Sequence, residues 1–168
     1  AAGAVSLIWK IKVSDMVLKS CAGIGAAMTF VALVTGAIWG KPTWGTWWVW
    51  DARLTSELIL LFLYLGFIAL VTSIDDLRRG DKAGALLAIV GSINVPIIYF
   101  SVRWWNTLHQ GATVSLTSAP KMAQTMLWAM LIMTFAFWAY AFATVFTRAQ
   151  ALALERDADA DWARKEML

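Results

Sequence analysis

Sulfur chemistry is almost closed to this chain. A single cysteine, Cys21, in 168 residues excludes an internal disulfide and every paired-cysteine motif for metal, thiol redox or covalent haem attachment. Histidine is as scarce: there is one, His109. Charge is scarce too, with 15% charged residues against 60% hydrophobic, where soluble domains run about 25% and 45–50%. Mean hydropathy is +0.65. A water-soluble globule is therefore a poor fit, and the apolar surplus collects in long uncharged runs, which points to a membrane protein. The net charge of +3 comes without a basic stripe, which argues against nucleic acid as a partner. Phosphate loop, HExxH and nucleophile elbow are all missing, so hydrolase or nucleotide chemistry has no foothold.

What is present sorts into spans and loops. Four complete spans are expected at Ser20–Gly40, Ser56–Ser73, Ala83–Phe100 and Gln124–Phe146, each close to the roughly 20 residues a crossing needs. The apolar stretch at residues 1–8 reaches only about 12 Å and reads as the end of a truncated transmembrane helix, the chain being taken as an N-terminally incomplete fragment. The expected fold is all-α, a polytopic membrane helix bundle of four complete transmembrane helices plus that helix end. Residues 9–146 form the four-span domain and 147–168 a cytoplasmic tail. Ten Lys/Arg lie in 9–19, 74–82 and the tail, against only Lys41, Arg53, Arg103 and Lys121 in the other two loops. The positive-inside rule then places the ten-charge side in the cytoplasm and the loops at 39–55 and 101–121 outside, facing the periplasm of a bacterial inner membrane. Asp157-Ala-Asp159-Ala-Asp161 has calcium-loop spacing, but Trp162 and Leu168 stand where Gly and Glu are required.

Between Lys41–Thr55 and Ser101–Lys121 the outer loops hold six of the eleven tryptophans and the histidine. In Trp44-Gly-Thr-Trp47-Trp48-Val-Trp50-Asp51, a helical conformation would align Trp44, Trp47, Trp48 and Asp51 on one face. An interfacial aromatic belt explains one or two tryptophans, but four in seven residues make a ledge suited to a flat aromatic ligand. In Trp104-Trp105-Asn106-Thr107-Leu108-His109, a helical turn would bring Trp105 and His109 together. One imidazole with aromatic walls suits the axial position of a haem iron better than zinc, which needs three or four ligands.

These residues resemble a known family. Trp44 to Asp51 is similar to the WGxxWxWD signature of the haem-handling proteins of cytochrome c biogenesis. The continuation Asp51-Ala-Arg53-Leu-Thr55-Ser-Glu57-Leu, then Asn94-Val-Pro96 and Trp104-Trp105-Asn106-Thr107-Leu108-His109-Gln110-Gly111, resembles the haem exporter branch called protein C of cytochrome c maturation (CcmC). The resemblance is dense from Phe30 to Gly111. It implies a six-span inner-membrane protein, not an enzyme, that binds b-type haem non-covalently on the outer tryptophan-rich segment through two axial histidines. It also implies transfer to a periplasmic haem chaperone, with a small membrane subunit and an ABC transporter as partners. His109 matches the second family histidine; the first belongs before the second family span, which this sequence lacks.

Trp44, Trp47, Trp48, Trp50 and Asp51, with Trp104 and Trp105, carry over as haem-surface or docking residues. Asp51 would repel anionic propionates, so a salt bridge to Arg53 or a docking role is expected of it. Arg53, Arg103 and Lys41 are the outer cations available to propionates, Arg best through its bidentate fork; lipid headgroups compete for each. Glu57 is read as an anion favoured at a helix start after Thr55-Ser56. Pro96 is expected to kink its span, and Asn94 either to shape the wall below His109 or to bond a neighbouring helix. Cys21 reads as a small apolar residue. Two other readings stand beside haem transfer: a haem- or quinone-linked membrane oxidoreductase subunit, which should show paired histidines within its spans, and a structural subunit anchored by its tryptophans.

Overall fold

The computed structural model describes residues 2–9, 11–109, 114 and 119–157. Among these every regular element is a helix: α1 (Ala2–Trp9), α2 (Lys12–Trp44), α3 (Ala52–Ser73), α4 (Leu77–Ser92), α5 (Asn94–Trp104) and α6 (Gln124–Arg156). Four apolar stretches are long enough to cross a membrane: α2, α3, α4 with α5, and α6. The chain is a multi-pass all-α membrane protein. The Gln110–Gly111 end of the second motif, most of the 110–118 loop and the tail beyond Asp157 lie outside the described residues.

The first and third spans overrun the expected bounds at both ends, whereas α3 ends at Ser73 and α6 begins at Gln124 as expected and each overruns at its other end only. α2 runs 33 residues, about 50 Å at 1.5 Å per residue, well beyond a hydrocarbon core of about 30 Å. It continues past Gly40 and carries Pro42 inside its last turn, where a missing N–H removes a single backbone hydrogen bond. Gly45 then stops it in the left-handed region, φ 77°, with its N–H bonded to the Lys41 carbonyl, the usual helix-ending role of glycine.

α3 packs against α2, α4 and α5, and α2 also packs against α6 and α1. Close approach of α3 and α4 depends on Gly84, where a Cβ would stand 2.7 Å from Val71 Cγ2 and 2.9 Å from Phe67 Cε2. α6 buries none of its residues and presents Trp128, Phe135, Trp138, Phe142 and Phe146 outward, as a lipid-facing helix does. Hydroxyls inside the spans turn back on their own helices: Thr29 donates to the Gly25 carbonyl, Thr134 to Met130 and Thr144 to Tyr140, each at 2.8 Å. No polar group is then left open to hydrocarbon at those sites.

The third span breaks at Ile93, between α4 and α5, rather than at Pro96 itself. Pro96 has no N–H for the Ser92 carbonyl one turn back. The chain tightens just before it, with the Ile93 N–H on the Val90 carbonyl at 3.2 Å. Asn94 takes the second of its two expected roles, its Nδ2 donating to the Ser56 carbonyl of α3 at 2.8 Å. That bond fixes the upper half of the broken span against α3.

Candidate functional site at the tryptophan end

Two connections meet at one end of the bundle: residues 45–51 between α2 and α3, and the chain that follows α5. Neither continues its helix. α2 ends at Trp44 and α5 at Trp104, so the helical faces expected for Trp44-Trp47-Trp48-Asp51 and for Trp105-His109 do not form. The cause is local. Gly45 terminates α2, and Trp105 takes an extended conformation, φ −127° and ψ 156°, at the end of α5. Short Thr turns shape both loops: the Thr46 hydroxyl bridges the backbone of Trp48, and Thr107 that of His109.

What the loops do bring together is Asp51 and His109, 58 residues apart, with His109 Nδ1 2.8 Å from Asp51 Oδ2. The Asp51 side chain is 5% exposed and that of His109 20%. A carboxylate only accepts, so the imidazole donates through Nδ1 and its Nε2 is left for another partner. The other carboxylate oxygen accepts the Leu54 N–H at 2.8 Å and caps α3. One side chain therefore starts a helix and orients the histidine. The ion pair expected between Asp51 and Arg53 is not made. Nor is Glu57 at the helix start, because α3 begins at Ala52, a full turn before it.

Trp44 packs edge-on to the His109 ring with centroids 4.7 Å apart, and Trp39 packs on Trp44 at 5.4 Å. Trp39 was not among the expected site residues; its spacing, five before Trp44 in the same helix, gave no sign of it. The other tryptophans divide. Trp48 and Trp50 pair at 5.5 Å. Trp104 stacks on Phe100 at 5.1 Å and meets Trp105 edge-on at 5.9 Å. The Lys41 ammonium sits over Trp47 at 5.9 Å from its ring centre. Trp47, Trp50, Trp104 and Trp105 are exposed, which gives this end an aromatic surface. The Trp48 indole N–H is buried and has no acceptor among the described residues. Arg53 and Arg103 make no ion pair among those residues. No group of three or more His, Cys, Asp or Glu able to hold a metal ion is found among them either.

The chemistry on offer is one oriented imidazole nitrogen, an aromatic surface and the cations Lys41, Arg53 and Arg103, all at one end of a membrane bundle. Comparison with known proteins agrees with the motifs. The CcmC family model, described as heme exporter protein C, matches residues 1–164. The chain is 47% identical over 163 residues to the heme exporter protein C of Haemophilus influenzae, covering 97% of this chain and 66% of that protein. It is similar to that of Escherichia coli at 58% over 109 residues, 65% of this chain and 44% of that protein. To that of Bradyrhizobium diazoefficiens the identity is 51% over 132 residues, 79% of this chain and 50% of that protein. The chain thus spans between 44% and 66% of the length of these relatives. It belongs to the heme exporter protein C family.

Proposed function

We propose that this chain binds haem at its tryptophan end and hands it on during cytochrome c maturation, with His109 as an axial ligand to the iron. The Asp51–His109 hydrogen bond carries the reading. Metal-bound histidines usually donate their second ring N–H to a carboxylate or carbonyl, which fixes the tautomer and the ring plane and raises ligand basicity. Here Nδ1 is held in that way, and Nε2 is the nitrogen that would meet iron.

The remaining groups fit the same cargo. Trp44 steadies the imidazole from the side, and Trp47, Trp48, Trp50, Trp104 and Trp105 offer indole surface to the porphyrin or to a docking partner. Arg53, Arg103 and Lys41 are the cations for the propionates. Asp51 contributes through His109 and does not touch the ligand, which removes the difficulty of its negative charge. Binding is non-covalent, because Cys21 lies in α2 toward the opposite end and a thioether needs a cysteine beside the ring. A haem- or quinone-linked oxidoreductase would show paired histidines within its spans, and the four spans described hold none.

In this reading the tryptophan end faces the periplasm of the inner membrane, where the haem goes to a membrane-tethered haem chaperone. A small membrane subunit and an ABC transporter complete the assembly. The test is spectroscopic. Chain loaded with haem in detergent should show a histidine-ligated Soret band, five-coordinate or completed by an outside ligand. His109→Ala should lose at least nine-tenths of it, with recovery on adding free imidazole. An unchanged band in His109→Ala would remove the assignment.

A further inference from the structure

Between the helix ends opposite the tryptophans lies a cavity of about 350 Å³ whose charged lining is Lys12, Asp15, Arg78, Asp81, Lys82 and Arg156. It draws on α2, α4 and α6, and α1 closes it through Ser6 and Leu7. Of the two carboxylates, Asp81 is paired with cations and Asp15 with a hydroxyl. Asp81, 7% exposed, has Lys19 Nζ at 2.7 Å on one oxygen and Arg156 at 3.3 Å on the other. Asp15 accepts a hydrogen bond from the Ser6 hydroxyl. Lys12, Arg78 and Lys82 form no ion pair among the described residues.

Three cations therefore border one recess in which Asp81 is paired with Lys19 and Arg156 and Asp15, held only by a hydroxyl, is the single carboxylate with no ion pair among the described residues, so positive charge is in excess. Like charges gathered in a partly enclosed site repel unless an anion joins them, and a planar guanidinium beside two ammonium groups matches a phosphate. Leu86, Ile89 and Val90 of α4 and Phe146 of α6 are exposed on the same helices, so hydrocarbon begins where the cavity ends. Basic pockets between transmembrane helices at the membrane surface are where anionic lipid headgroups bind. We infer that this cavity is a binding site for a phosphate group, through Arg78, Lys82 and Lys12, with an anionic phospholipid headgroup as the natural source.

Native mass spectrometry of the whole chain in neutral detergent, with phosphatidylglycerol against phosphatidylcholine, reads the site directly. At least tenfold preferential retention of phosphatidylglycerol is expected, weakening as salt is raised. An R78Q/K82Q double variant should fall to the phosphatidylcholine level, while Lys121→Gln at the opposite end should behave as wild type. A separate lipid-free arm follows the melting temperature with inorganic phosphate. A rise that the double variant lacks, without lipid preference, would assign the site to free phosphate instead of lipid. No preference in either arm, or wild-type behaviour of the double variant, overturns the inference. If the double variant does not fold, Lys12→Gln, at the first residue of α2, is read by the same two measurements, with a several-fold loss expected and no loss counting against the site.

Discussion

Asp51 carries two loads that can be separated by choosing the substitution. Asparagine caps a helix about as well as aspartate, whereas alanine at an N-cap costs about 0.5–2 kcal/mol. Asp51→Asn should therefore keep the melting temperature of the apo protein close to wild type, and Asp51→Ala should lower it. Both should weaken haem retention, because a neutral amide is a poorer partner for the imidazole N–H than a carboxylate; loss of such outer partners typically costs 10–100-fold in affinity. Equal haem affinity in Asp51→Asn and wild type would show that the carboxylate serves only the helix. The sequence marks Asp51 for a salt bridge to Arg53 or for docking, and it is His109, not Arg53, that the fold brings to it. Arg53 is two positions away and was the obvious cation, but once Asp51 caps α3 its free oxygen is aimed at the other loop.

Among the elements, the α3–α4 contact and the start of α4 each permit a test. Gly84→Ala gains up to about 1 kcal/mol of helix propensity but drives a methyl into Val71 and Phe67, and overpacking costs about 1–3 kcal/mol. The packing term is the larger, so a lower melting temperature in detergent is expected, and an unchanged or higher one would show that α3 yields. Asp76 caps α4 by accepting the Arg78 N–H at 2.9 Å and the Arg79 N–H at 3.0 Å. The hydrogen bond from Arg79, helped by that from Arg78 and by the two guanidinium charges, holds its carboxyl below the usual carboxylate range against a smaller opposing effect of desolvation. A depressed folded-state value means that the cap contributes fully above the ordinary carboxylate range and is lost as pH falls through the depressed value. Acidification should thus destabilise wild type more than Asp76→Asn, and parallel pH curves for the two would contradict the assignment.

For the whole molecule, the uneven distribution of cations sets the expected orientation. With Cys21 replaced by serine, single cysteines at the exposed positions Thr43 and Asn106 should react with an impermeant thiol reagent in intact cells. A cysteine at exposed Asp75, near the cation-rich end, should stay protected until the membrane is opened. The reverse pattern would put the haem site and the cation-rich cavity on the opposite sides of the membrane from those proposed.

The four spans were readable because hydrocarbon imposes a linear rule: about 20 uncharged residues in a row cross, whatever their neighbours do. The family could be recognised for a related reason, since Trp44 to Asp51 and Trp104 to His109 are contiguous strings. The ends of the helices were less legible, because Gly40 and Ser56 look like boundaries locally while Gly45 and Asp51 are the residues that make them. The expected helical alignment of the tryptophans failed at Gly45 for that reason. Asp51 meeting His109, Trp39 reaching the site through Trp44, and Lys12, Arg78 and Lys82 bordering one recess could not be read along the chain at all. Each depends on which helix ends lie side by side, and that is settled by the packing of α2 with α3 and α6 and of α3 with α4 and α5, where contacts join residues that hydropathy and spacing treat as unrelated.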